Sequence, residues 1–254
     1  MIKFYLPTGY LQEESFNLLK YAGLRANLNK KGRIWSVENT EFPTKYANPK
    51  DIPLLLSLGK ADAALTFTDI LKEFYLNHPA LAVKLAVFSH IPIRSTKLSF
   101  AISKDTYPLV TTFAEFLGKF RQTQKRDMII ATDHPKTVQL FLNKKGLTRI
   151  KILPSSGLPL NWIIPPDPEA DLAVVNIENG ETLNENNCQI INTLQENKLA
   201  LVVNRLSLED GLKRNKIEEL SGNLRKSIIR IKEIEELKAS QQLHLPITRP
   251  APAF

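Results

Sequence analysis

What most constrains this chain is the alternation of short apolar runs with helical segments along most of its length. Ile2 to Leu6 reads as a strand and Pro7-Thr8-Gly9 as a turn. A helix follows with Leu11, Phe16, Leu18, Leu19 and Ala22 on its apolar face and Gly23 as C-cap. Further strands are expected at Ile34–Val37, Asp62–Phe67, Lys84–Phe88, Lys97–Ser103, Met128–Thr132, Arg149–Leu153, Leu172–Ile177 and Leu199–Val203. Between them, helices are expected from Asp51, read as N-cap with Pro53 in the first turn, to Leu58, and at Thr68–Tyr75, Phe113–Phe120, Val138–Asn143 and Asn184–Leu194. Strands that alternate with helices imply an α/β architecture with a mostly parallel sheet.

Two regions fall outside this alternation. Prolines 154, 159, 165, 166 and 168 block regular structure and predict a long surface loop. From Leu206 to about Ser240 the chain is highly charged, and Ile217, Leu220, Leu224, Ile228, Ile231 and Ile234 recur at helical spacing. That pattern predicts a long amphipathic helix packed on the body or on a partner subunit. The tail Leu245–Phe254, with three prolines, is expected to be disordered.

Composition then removes several kinds of site. The chain has 10 glycines in 254 residues, and neither G-x-x-x-x-G-K-[ST] nor G-x-G-x-x-G occurs, so P-loop and dinucleotide-binding readings lose their support. The single Cys188 cannot form an intrachain disulfide, and His78, His90, His134 and His244 are too scattered to suggest zinc. Cys188 itself, read as lying in the Asn184–Leu194 helix, suits a small buried apolar role. No apolar run approaches the ~20 residues of a membrane span, and the start turns acidic at Glu13 and Glu14, unlike a signal peptide. A cytoplasmic protein with no membrane association is expected. The net charge of +8 favours anionic partners. Its basic residues are dispersed without interleaved aromatics, so nucleic acid is not among the expected partners.

The segment that carries chemistry is Ala170 to Leu183, an apolar strand that ends at Glu178-Asn179-Gly180 and opens a helix at Glu181-Thr182. Such a junction directs unpaired backbone N–H groups and the positive end of a helix dipole at whatever lies above it, which suits a phosphate. Thr182 offers a hydroxyl donor. The same residues also fit an ordinary strand-to-helix turn in which Thr182 only caps the helix.

Here the chain resembles the ATP phosphoribosyltransferase family, from residue 2 to about residue 230. Leu6-Pro7-Thr8-Gly9-Tyr10-Leu11 is similar to the family's L-P-K-G-R-L, and Asp51-Ile52-Pro53 through Gly59 and Asp62 to Asp69-Ile70-Leu71 is similar to D-I-P…G-x-x-D-L-G-I-V-G-x-D-x-L. Lys97-Leu98 matches its basic-then-apolar strand. Ile130-Ala131-Thr132 to Pro135, then Phe141 to Gly146, resembles I-A-T-x-Y-P…Y-x-x-x-K-G. Asp171 to Leu183 resembles A-D-A-I-V-D-L-V-x-T-G-x-T-L, the family's phosphoribosyl pyrophosphate loop.

The resemblance implies two lobes like those of a type II periplasmic binding protein, with the site in the cleft. Lobe I would hold residues 1–95 plus 178–230, lobe II residues 96–177, and 231–254 would be helix end and tail. It implies transfer of phosphoribosyl from phosphoribosyl pyrophosphate to N1 of ATP in histidine biosynthesis, with Mg²⁺ on the diphosphate and no metal ligand from the protein. The loop Glu178, Asn179, Gly180, Glu181 and Thr182 would bind the phosphoribosyl group, Thr8, Gly9 and Tyr10 would flank the cleft, and Asp69, Asp171 and Val175 would be possible ligand contacts. A homo-oligomer is implied, and the short length resembles the short form of the family, which works with a regulatory subunit resembling histidyl-tRNA synthetase.

Departures from the pattern matter as much. The family's Lys, Arg and second Asp are Thr8, Tyr10 and Val175 here; its Thr before the loop glycine is Asn179; its Gly after G-I-V is Phe67; and one Glu falls near Leu160. Each lost charged hydrogen bond is worth roughly 1.5–3 kcal/mol. Three readings stay open on the sequence. One is a divergent but active phosphoribosyltransferase. Another is a weak or inactive paralogue acting as a nucleotide- or phosphate-binding or regulatory subunit. The last is a binding module of the same fold for an unrelated ligand.

Overall fold

The computed structural model describes residues 1–9, 12–22, 24, 27–31, 34–38 and 42–242. The expectations placed on Tyr10, Leu11, Gly23 and the tail at 245–254 fall outside them. The N-terminal part runs β1 (Phe4–Pro7), α1 (Gln12–Tyr21), β2 (Asn27–Lys31), β3 (Ile34–Glu38), β4 (Thr44–Ala47), α2 (Ile52–Ser57), β5 (Ala63–Phe67), α3 (Thr68–Asn77) and α4 (Pro79–Ala82). The middle runs β6 (Leu85–Ser103), α5 (Phe113–Thr123), β7 (Met128–Thr132), α6 (Pro135–Lys144), β8 (Ile150–Pro154) and β9 (Leu172–Ile177). It closes with α7 (Glu181–Glu185), β10 (Cys188–Asn204), α8 (Arg205–Glu209) and α9 (Gly211–Gln242).

The strands form one sheet in the order β2-β3-β4-β1-β5-β10-β6-β9-β7-β8. β1 lies parallel to β4 and β5, and β7 parallel to β8 and β9, while β6 and β10 form a long antiparallel ribbon joining the two groups. β5, inside its group, is buried on both faces, which is why it is apolar or small at nearly every position and wholly buried. In lobe I, α1 and α9 cover one face through Leu18, Leu19, Ile217, Leu220 and Leu224 against Phe4, Leu6 and Leu201. On the other face Ile52, Leu56 and Leu71 pack on Ala64, Ala200 and Val202. In lobe II, Phe116, Phe120, Val138 and Leu142 pack on Phe100, Leu172 and Val174. The apolar stripe of α9 is therefore spent on the body of the chain. Among the described residues no helix is long and apolar enough to cross a membrane.

The lobes meet where the ribbon is broken. Register runs from Lys198 opposite Ser95 to Leu199 opposite Ile91, so residues 92–94 bulge out of the ladder. Pro92 lacks the N–H that a regular ladder needs there. Ile91 belongs to the core of lobe I and Leu98 to that of lobe II. The chain thus crosses near residues 92–97 and returns near 195–199. The expected return at 178 is too early, because Leu183, Cys188 and Ile191 pack into lobe II.

Three other expectations change. The sheet is mixed rather than mostly parallel: among the described strands four neighbouring pairs are parallel and five antiparallel. The helix expected over Asn184–Leu194 stops at Glu185: Asn187 takes a left-handed conformation (φ 48°), which asparagine tolerates, and the β-branched run Ile190, Ile191 and Thr193 joins β10. Cys188 accordingly opens a strand; it is buried, and its thiol donates to the carbonyl of Asn186 at 3.2 Å. The proline-rich segment is not merely a surface loop. Pro159–Ile163 forms a 3-10 turn whose Leu160 and Ile163 are buried against Ala173 and Val175.

Candidate functional site

Strand β9 delivers the loop. Its residues alternate between faces, with Leu172 and Val174 toward α5 and α6, and Ala173 and Val175 toward the proline-rich segment. The strand ends at the lobe boundary, and the chain turns through Glu178, Asn179 and Gly180. Gly180 sits at φ 80°, a left-handed geometry that suits glycine. A cavity of about 390 Å³ opens above this turn. The loop supplies Glu178, Asn179, Gly180 and Thr182 to its lining; β9 supplies Val175, Asn176 and Ile177; and Leu158, Leu160, Leu183 and Thr96 complete it.

The loop is a weaker anion trap than its sequence suggests. Helix α7 has five residues, so little dipole accumulates along it. Its first-turn N–H groups have no acceptor within the helix, but that of Glu181 is already taken by the Asn179 side chain at 3.3 Å. Gly180, not Thr182, occupies the N-cap, which leaves the exposed Thr182 on the cavity lining rather than capping. No lysine or arginine is among the described lining residues. Val175 is 4% exposed and presents an apolar wall where a carboxylate would accept hydroxyl hydrogen bonds.

The other expected site residues are distributed unevenly. Thr8 and Gly9 lie at the end of β1 in lobe I, outside the cavity lining, and the Thr8 hydroxyl donates to the carbonyl of Ala47 at 3.3 Å. Glu181 is also absent from the lining. Asp171 lies outside the cavity lining. It stands at the opposite end of β9 from the loop, and its buried carboxylate accepts from the Arg126 guanidinium at 2.6 and 2.8 Å and from the Ile129 N–H at 2.8 Å. Arg126→Ala would leave that carboxylate with one protein donor. The expected loss is about 2 kcal/mol of unfolding free energy by urea denaturation, below the ~3–5 of a fully buried broken pair because truncation lets water in.

Asp69 lies one step behind the cavity. Fully buried in the first turn of α3, it accepts a hydrogen bond from the Asn176 side-chain amide. The Asn176 carbonyl oxygen in turn accepts from Asn197 at 2.8 Å and Thr96 at 3.3 Å. This network spans both lobes and the ribbon between them, and the sequence reading missed most of it. The available signal was Asn176 itself, a polar residue inside the apolar run Leu172–Ile177. His134 also joins the network, at the position of the tyrosine in the I-A-T-x-Y-P pattern. No group of three or more His, Cys, Asp or Glu side chains converges as a metal cage among the described residues. Glu178 is the carboxylate on the cavity lining.

Comparison with known proteins follows this geometry. The family model for ATP phosphoribosyltransferase (HisG) matches residues 48–226. An ATP phosphoribosyltransferase of Archaeoglobus fulgidus is 34% identical over 181 residues, which are 71% of this chain and 62% of that relative. The chain thus spans a little under two thirds of that protein's length. The ATP phosphoribosyltransferase (HisG:HisZ) complex from Thermotoga maritima aligns with TM-score 0.69 and 25% identity over 91% of this chain and 100% of the other. The aliphatic sulphonate binding protein SsuA from Escherichia coli aligns with TM-score 0.59 and 12% identity over 96% of this chain and 79% of its own. That likeness shows the two-lobed periplasmic-binding-protein fold alone. The match over 48–226 takes in most of the ribbon, β9 and the loop over the cavity, and on it the chain belongs to the ATP phosphoribosyltransferase family.

Proposed function

We propose that this chain transfers the phosphoribosyl group of phosphoribosyl pyrophosphate to N1 of ATP, the committed chemistry of its family in histidine biosynthesis. The observation that carries the reading is the loop Glu178–Thr182, which lies within the matched region and lines a cavity large enough for a small ligand, in the range of about 300–1,000 Å³. In the reaction N1 would form a bond to the anomeric carbon, and the bond from that carbon to the diphosphate would break, with its electron pair leaving on pyrophosphate. No nucleophile or proton relay is required of the protein. Its work is to orient two polyanions and exclude water.

The residues present divide that work. The turn at Gly180 would offer backbone N–H groups to phosphate oxygens. Val175, Ile177, Leu160 and Leu183 would keep water from the reacting carbon. Mg²⁺ would neutralise charge on the diphosphate; the Glu178 carboxylate is a hard oxygen donor that suits this ion, with most of its coordination left to phosphate and water. Residence in the cytoplasm, assembly with further copies of the chain and a separate regulatory subunit, as in the Thermotoga complex, belong to the same proposal.

Purified protein is expected to release pyrophosphate from phosphoribosyl pyrophosphate and ATP with Mg²⁺, read by a coupled phosphate assay with and without a candidate regulatory subunit. Binding of nucleotide or pyrophosphate by calorimetry with no turnover under either condition would overturn the transferase reading. It would leave a ligand-binding paralogue, in keeping with Val175 on the cavity wall.

A further inference from the structure

The contacts that hold the lobes together concentrate on helix α3. It belongs to lobe I, where Leu71 and Phe74 are core residues, yet its polar side chains bond to lobe II. The Glu73 carboxylate accepts from the backbone N–H groups of Lys136 and Thr137, both at 2.8 Å, and from the Thr137 hydroxyl at 2.7 Å. It therefore caps the N-terminus of α6 from the other lobe. The helix has no cap of its own there, because its N-cap His134 makes no side-chain capping bond. Thr68 and Lys72 on the same helix contact Lys198 and Gln195 of the ribbon.

His134 is engaged elsewhere. Its Nδ1 lies 2.7 Å from Asp133 Oδ1 and its Nε2 lies 3.0 Å from Asp69 Oδ2, with the ring 2% exposed. Two carboxylates flanking one ring favour the imidazolium, whose two nitrogens both donate. Asp133 is also paired with Lys50 of lobe I at 3.1 Å. The other oxygen of Asp69 is buried with no hydrogen-bond partner. Closing the lobes strips water from it, and that cost is offset while His134 carries its charge.

We propose that His134 is the pin of an interlobe latch: as an imidazolium between Asp133 and Asp69, and acting with Glu73 on the α6 N-terminus, it holds α3 against lobe II and sets how far the cleft opens, with alkali releasing it. The proposal needs no particular ligand in the cavity. Through the shared Asp69 carboxylate the latch also fixes Asn176 on the cavity wall, which makes His134 a positioning residue.

The charged groups around the ring give the direction of the pH effect. Asp69 and Glu73 face it from α3, His78 from the junction of α3 and α4, Lys50 from the segment ahead of α2, and Asp133 from its own side, with Lys136 next along α6. Burial by itself would make the ring easier to deprotonate. The hydrogen bonds and charges of Asp133 and Asp69 outweigh it and push the pKa up to about 9. Asp133 stays beside the ring when the lobes part, so closure adds only the share of the raise that comes from Asp69; that share is present while the ring is charged and is lost as pH rises through about 9.

The test is the distance between spin labels placed on the full chain at the exposed positions Lys60→Cys in lobe I and Lys125→Cys in lobe II, measured from pH 6 to pH 10 without ligand. A mainly closed population is expected at pH 6, and the closed-to-open ratio should fall as pH passes about 9. Glu73→Gln should lower the ratio at every pH and keep the same midpoint. His134→Gln should be partly open throughout with no midpoint. An unchanged distance across the range in the unmutated latch would overturn the proposal, as would a His134→Gln chain that keeps the midpoint. The first of these is decisive even if a variant fails to fold.

Discussion

Phe100→Ala is expected to lower the unfolding free energy by about 3–5 kcal/mol. Phe100 is fully buried on the lobe II half of β6. Its ring stacks on Phe113 with centroids 4.7 Å apart and meets Phe141 at 5.4 Å. Both neighbours are only partly buried, at the margin of the core, so neither can fill the space left by Phe100 without giving up its own contacts. Truncation therefore loses the transfer free energy of the ring and leaves a cavity, together with two aromatic contacts of about 0.5–1.5 kcal/mol each beyond area burial. Against a typical total of about 5–15 kcal/mol this is a large fraction. For a chain of this length the thermal midpoint should fall by about 6–20 °C. Urea denaturation should show a lower midpoint at unchanged slope; a change under about 1 kcal/mol would mean that Phe113 and Phe141 repack into the gap.

Phe100 also illustrates which features were legible in the sequence. The run Lys97–Ser103 announces a buried strand, and Phe113, Phe116 and Phe120 at helical spacing announce the helix that covers it. Local periodicity fixed those elements because one face of each is spent on the core. It failed where pairing overrides propensity. Lys84–Phe88 and Lys97–Ser103 read as two separate strands, yet they are one strand that changes lobes across a bulge. Asn184–Leu194 reads as helix, yet most of it pairs with β6 from Cys188 onward, a contact no local window contains.

The candidate site divides in the same way. The loop at 178–182 was visible because the turn Asn179-Gly180 and the strand before it are contiguous. The network of Asp69, His134, Asn176 and Asn197 was not, because its members are separated by up to 128 positions, from 69 to 197, and meet only when the lobes close. Asp171 shows the converse. An aspartate opening the phosphate-loop strand looked like a ligand, and the structure spends it on Arg126. A charged residue at the start of a buried strand needs a partner whether or not a substrate exists.

The sharpest test of the loop is Gly180→Pro, for which pyrophosphate release should fall below about a hundredth of the parent rate. Proline requires φ near −65°, whereas residue 180 stands at +80°, so the turn must be rebuilt and its N–H is lost. A lost hydrogen bond to a charged group is worth about 1.5–3 kcal/mol, and rebuilding would displace more than one donor. The global fold should be spared more than the site, since nothing lies within 4 Å of where a Cβ would stand. Gly180→Ala is the control that separates strain from displacement. It keeps the N–H and meets no neighbour, so its cost is the left-handed conformation, about 1–2 kcal/mol, and the rate should fall by no more than about thirtyfold. If the proline variant stays folded by circular dichroism and releases pyrophosphate at the parent rate, the loop is not where the substrate sits. If both variants lose activity and the thermal midpoint together, Gly180 matters to the packing of Leu183 and Cys188 beneath it. A large loss confined to proline, with the midpoint preserved, ties the chemistry to the backbone of this turn, which the residues at 175 and 179 leave in place.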